Sequence, residues 1–100
     1  MNFSHFHPHA RAEFLEAVIF LENESSGLGT EFMLEFDDAL HLIHKFPNTW
    51  NTVKGEIRRF ILSRFSYSIV YKIEKKKLAI IAVMHHSRKP LYWAERVSDK

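Results

Sequence analysis

The apolar positions of the first half recur with a helical period. Phe14, Val18 and Leu21 form one stripe, with Leu15 and Ile19 beside it, across a segment from Pro8 to about Glu24. Pro8 suits the first turn of that helix, where its missing N–H is no loss. Glu13 and Glu16 lie near its N-terminal end, where the helix dipole favours negative charge. The run Ser25-Ser26-Gly27-Leu28-Gly29 predicts a tight reversal. A second helix follows, with Phe32, Phe36, Leu40 and Ile43 at three- and four-residue steps and Met33 and Ala39 alongside. Thr30 is placed to cap its start, and Pro47, just beyond Lys45, stops it. Two such helices joined by a short glycine turn predict an antiparallel hairpin.

The second half changes period. Ile57 to Ser63 is rich in β-formers, and Tyr67, Ile69, Tyr71 and Ile73 alternate onto one face of a strand. Leu78-Ala79-Ile80-Ile81-Ala82-Val83-Met84 is nearly continuous apolar sequence, as expected of a strand covered on both sides. The short connections around Phe65-Ser66 and Lys75-Lys76-Lys77 predict an antiparallel three-stranded meander. Phe3 to His7 is a short strand candidate ahead of the helices. The pattern is therefore α+β, in the order β-α-α-β-β-β, with the helical hairpin on one face of a small antiparallel sheet. The opposite face is expected to be free and lined by basic residues.

Composition sharpens this. The 100 residues are 46% hydrophobic and 14% aromatic, which predicts one domain over residues 1–100. The absence of cysteine excludes disulfides, thiolate catalysis and Cys-based zinc sites, and suits a cytoplasmic protein. No apolar run approaches the roughly 18 residues needed to span a bilayer, so no membrane partner is expected. The net charge of +2 conceals an asymmetry. Residues 1–50 carry two basic and eight acidic side chains, and residues 51–100 carry twelve basic and four acidic. An acidic side and a basic side follow, the latter attractive to phosphate backbones or to an acidic protein partner.

The densest chemistry follows the last strand, in His85-His86-Ser87-Arg88-Lys89-Pro90-Leu91-Tyr92-Trp93. RNA cleavage through the 2′-hydroxyl needs a base, an acid and cations for the phosphorane. Histidine and tyrosine can move protons, arginine can chelate phosphate oxygens, and Tyr92 or Trp93 can stack on a base. The bland alternative is that Tyr92 and Trp93 fold the tail over the sheet, with Arg88 in a surface pair. Arg58, Arg59 and Arg64 form a second cationic group, although neighbours in a strand point to opposite faces. Arg64, if the strand continues, shares a side with Arg58, Phe60 and Leu62. His5, His7 and His9 alternate in a way that invites a metal, but Pro8 interrupts the strand, and neither a metal nor another cofactor is expected.

These pieces resemble the RelE/ParE-type toxins of bacterial type II toxin–antitoxin systems. The resemblance covers nearly the whole chain: Phe6, Pro8 and Ala10 at the start, Gly27-Leu28-Gly29 between the helices, Arg59-Phe60, and Arg64 to Tyr71. It ends on Ala82 to Trp93, with its His-x-x-Arg-x-Pro-x-Tyr-Trp close. Ser66 departs from it, standing where the family usually has proline. The resemblance implies a growth-inhibiting toxin neutralised by a cognate antitoxin, whose C-terminal segment covers the helix pair and sheet. It leaves two mechanisms open. ParE-like members block DNA gyrase, and the sequence leans to that branch because the second helix carries Glu31, Glu35, Asp37 and Asp38 where nucleases favour lysine. RelE-like members cleave mRNA on the ribosome without a metal. On that alternative Arg64, His85, Arg88 and Tyr92 are the candidate catalytic groups. Arg58, Arg59, His86, Lys89 and Trp93 are the candidate contacts to nucleic acid or target. An inactive or merely nucleic-acid-binding relative is a further alternative.

Overall fold

The computed structural model describes residues 4–97. The order is β1 (Ser4–Phe6), α1 (Pro8–Glu24), α2 (Leu28–Lys45), β2 (Thr52–Lys54), β3 (Ile57–Ile61), β4 (Tyr67–Glu74) and β5 (Lys77–His85), closed by a short 3-10 helix, Ala94–Val97. Phe3, which the pattern included in the first strand, lies outside the described residues.

The periodic stripes do what their spacing requires. Phe32, Phe36, Ala39 and Ile43 of α2 and Ala10, Ala17 and Leu21 of α1 are buried against Ile69, Tyr71, Leu78 and Ile80 of the sheet. Phe14 bridges the two helices, its ring centroid 4.7 Å from that of Phe36. Gly27 turns the chain with φ of 90°, a left-handed conformation that a side chain would strain. The second helix begins two residues earlier than Thr30. Its free first-turn N–H groups are met from α1, where Glu22 accepts from the Gly27 N–H at 2.9 Å and the Gly29 N–H at 3.0 Å. A carboxylate from the preceding helix thus performs the capping expected of the threonine.

The antiparallel meander is present and is extended on both sides. The sheet has five strands in the order β1-β5-β4-β3-β2. Strand β2 adds antiparallel to β3, and β1 adds parallel to β5. The register between β4 and β5 shifts between Val70 and Tyr71, so that Val70 pairs with Ala82 while Tyr71 pairs with Ile80. Ile81 is the extra residue of a bulge. Leu78 and Ile80 face the helices before it, and Val83 faces them after it, while Ile81, Ala82 and Met84 pack on the other side. The unbroken apolar run of this strand therefore serves two cores.

The second core changes the expected free face. Trp93, 1% exposed, packs with Ile57, Val70, Ile81, Ala82 and Met84, and Tyr92, Ala94 and Val97 pack around it. The tail folds over the sheet because this face is itself apolar at its centre, and an indole buries more of it than any other side chain available. Only the margins of the face remain open.

Candidate functional site

Two groups of polar side chains organise the open edge of β5 and the far face of the sheet. The first centres on Glu13. Strand β1 stops beside Ile80, where the His7 N–H donates to the Ile80 carbonyl at 2.9 Å. Beyond that point the edge of β5 has no strand neighbour. Glu13 of α1 takes over, accepting from the Val83 N–H at 3.0 Å, and Arg96 donates to the Ile81 carbonyl at 3.0 Å. Arg96 also forks onto both carboxylate oxygens of Glu13, at 2.9 and 2.8 Å, and the Tyr92 hydroxyl donates to Glu13 at 2.7 Å. Side chains thus replace the missing strand and fasten the tail. Burial pushes the Glu13 carboxyl upward, but hydrogen bonds from Arg96, Tyr92 and Val83 prevail and hold it below its ordinary value.

The second group lies on β3, β4 and the end of β5. Arg59 Nε donates to Ser68 Oγ at 2.9 Å, and Ser68 Oγ lies 2.8 Å from His86 Nε2. Burial and the Arg59 charge hold His86 below the usual imidazole value. A neutral His86 accepting the serine proton fits that direction. Ser68 is fully buried, so it relays between the two rather than reaching a substrate. Beside Arg59 is a cleft of about 310 Å³ lined by Val53, Val70, Met84, Pro90, Leu91 and Trp93.

Of the candidate catalytic residues, Arg88 touches Tyr92 and its backbone N–H donates to the His85 carbonyl at 3.0 Å, while Arg64 is held apart from them. Arg64 sits in the β3–β4 turn, outside the strand, and pairs with Glu31 of α2. His85 packs edge-on against Tyr67, ring centroids 4.9 Å apart, and holds the Ser87 hydroxyl at 2.8 Å. Arg88 lies over the Tyr92 ring, 3.8 Å from its centroid, with Arg96 on the ring at 5.1 Å. Burial, followed by the bond to Glu13, pushes the Tyr92 phenol well above its ordinary value. That direction keeps the phenol protonated near neutral pH, where its hydroxyl donates to Glu13.

The candidate contact residues also divide. Arg58 and Arg59 occupy opposite faces, as alternation requires. Arg58 pairs with Tyr71 on the helix side and donates to the Trp50 carbonyl at 2.7 Å, while Arg59 pairs with Val70 on the far side. His86 and Lys89 are exposed, and Trp93 is part of the core. Three residues that organise the site, Glu13, Ser68 and Arg96, were not singled out from the sequence. Glu13 reads there only as a dipole partner, and Ser68 only as the polar position between Tyr67 and Ile69. Their partners lie 83 and 18 residues away, so no local signal marks them. The described residues contain no cluster of three side chains able to hold a metal ion, and no helix long and apolar enough to cross a membrane.

The chain resembles known proteins in sequence and in fold. A family model for the ParE toxin of the type II toxin–antitoxin system, parDE, matches residues 5–90. A solved structure, the chromosomal ParDE TA system from P. aeruginosa, contains a chain similar to this one with a TM-score of 0.65 and 13% sequence identity. The similarity covers 85% of this chain and 96% of that chain. At that identity it is a likeness of fold. No curated protein matches the chain.

Proposed function

Because the chain belongs to the ParE toxin family of type II toxin–antitoxin systems, we propose that it is a toxin held silent by a cognate antitoxin. It acts by binding an essential target, DNA gyrase, rather than by cutting RNA. One observation carries the binding reading. The tyrosine and arginine on which a nuclease would depend are engaged with each other and with Glu13, in an arrangement that suits holding the tail rather than transferring protons.

Neutralisation by a protein partner is supported by exposed apolar residues on the helices. Leu15, Ile19 and Phe20 of α1 and Met33, Leu34 and Leu42 of α2 are exposed, Ile19 at 61% and Leu34 at 63%. A partner that covers such positions gains their burial. Arg59, His86 and Lys89 are the groups assigned to contact the target or the antitoxin.

Inducing the chain alone in a bacterial host, and then adding purified protein to a gyrase supercoiling assay, tests this. Growth arrest with DNA-damage signalling and lost supercoiling activity are expected. Arrest of translation with cleaved messages would overturn the reading in favour of a ribosome-dependent ribonuclease. Tyr92→Phe is expected to leave supercoiling inhibition within about twofold of the parent once its fold is verified. Co-expression of the adjacent open reading frame is expected to restore growth.

A further inference from the structure

The cleft beside Arg59 has the features of a seat for a specific chemical group. Its walls are apolar: Val53, Val70, Met84, Pro90, Leu91 and Trp93. Val53 and Leu91 are exposed, so the cleft is reachable from solvent. One charged donor on its wall is in part unengaged. The Arg59 guanidinium uses its Nε on Ser68, and its terminal nitrogens meet no acceptor among the described residues. The other arginines of the second half differ. Arg58 holds the Trp50 carbonyl, Arg64 pairs with Glu31, and Arg88 and Arg96 are drawn to Glu13.

An arginine fork matches a carboxylate in geometry and charge. An apolar hollow of this size accommodates one large side chain. Arg59 puts a positive charge on the cleft wall, and exposed Lys89 adjoins Pro90 of that wall in the chain.

We propose that this cleft receives one bulky apolar side chain from an acidic protein segment, whose neighbouring carboxylate pairs with Arg59. The inference rests on the antitoxin reading above and gives it a location: the far face of the sheet, at the mouth framed by β2 and the tail. The occupant is chosen by charge complementarity, since a cationic or purely apolar peptide would leave the Arg59 fork unmet.

The test uses the full chain labelled with ¹⁵N and titrated with three capped tripeptides, Asp-Phe-Glu, Asp-Ala-Glu and Lys-Phe-Lys, at millimolar concentration. The Asp-Phe-Glu peptide is expected to move the Trp93 indole N–H and Arg59 Nε–H resonances together. The other two are expected to bind at least about tenfold more weakly. Val53→Glu, an exposed change on β2 that places a carboxylate at the mouth, is expected to abolish the response while leaving the remaining amide spectrum in place. An unmoved Trp93 indole resonance, or equal responses to all three peptides, would overturn the proposal. In growing cells the two readings separate. If the adjacent gene product silences Val53→Glu as well as it silences the parent toxin, the cleft assignment is wrong and the antitoxin reading survives. If it silences neither, the antitoxin reading itself fails.

Discussion

Glu13 shows how one carboxylate can do the work of several backbone groups. Its side chain is 12% exposed and is bound by Arg96, Tyr92 and the Val83 amide. Glu13→Gln would leave Arg96 buried without its counter-charge, and removal of one member of such a pair costs about 3 kcal/mol. A fall of that size is expected in urea unfolding, with the loss felt first around Trp93, whose fluorescence would redden early. The pH dependence has a definite sign. Because the folded carboxyl titrates below its ordinary 4.5, its contribution is complete above that value and disappears as pH falls through the lower, folded value. The stability gap between parent and Glu13→Gln should therefore be flat from neutral pH to about 5 and close below it. A gap that widened on acidification would contradict the role given to Glu13.

At the level of elements, one close helix approach and one strand turn show backbone geometry setting stability. Gly29 lies within α2, and a Cβ there would stand 2.7 Å from the Val18 carbonyl oxygen and 3.1 Å from the Glu22 Cβ. The first neighbour is backbone and cannot swing aside, so the helices would have to separate. Gly29→Ala is expected to cost about 1–2 kcal/mol, the clash outweighing the better helix propensity of alanine. Thermal unfolding measures it directly. The β4–β5 turn has the opposite defect. Lys75 and Lys76 adopt φ of 52° and 68°, in a two-residue loop between paired Glu74 and Lys77. Such loops favour Asn-Gly, since side chains strain in the left-handed region. Lys76→Gly should stabilise the protein by about 0.5 kcal/mol, the relief being partly offset by glycine's freedom in the unfolded chain. The midpoint of urea unfolding would rise.

Over the whole molecule, charge follows the layers. The helices expose Glu16, Glu22, Glu24, Glu31, Asp37 and Asp38, while Lys54, Lys75, Lys76, Lys77, Arg88 and Lys89 are exposed on the strand and tail side. Opposed fields of this kind orient an approaching partner before contact. The association rate with an acidic segment should fall about tenfold between low and high salt, with a much smaller change in dissociation rate. Stopped-flow mixing at several ionic strengths distinguishes this from an apolar encounter, whose rate would hardly respond.

The hydrophobic period by itself determined the helical hairpin, the three-stranded meander and the side on which Phe36, Ile43, Ile69 and Tyr71 meet, because burying an amphipathic face is a local demand repeated at fixed spacing. Alternation likewise separated Arg58 from Arg59. The sequence could not decide what β5 does at Ile81, since a bulge is invisible in a strand that is apolar throughout. Nor could it decide whether Trp93 faced a partner or the sheet. That depended on whether the far face offered enough apolar surface to bury an indole, and on whether Glu13 stood where β5 ran out of neighbours. The arrangement of Arg59, Ser68 and His86, and the engagement of Tyr92 with Glu13, follow from those long-range contacts. Residues far apart in the chain set the charge and solvation of these groups, and only the folded structure brings them within reach.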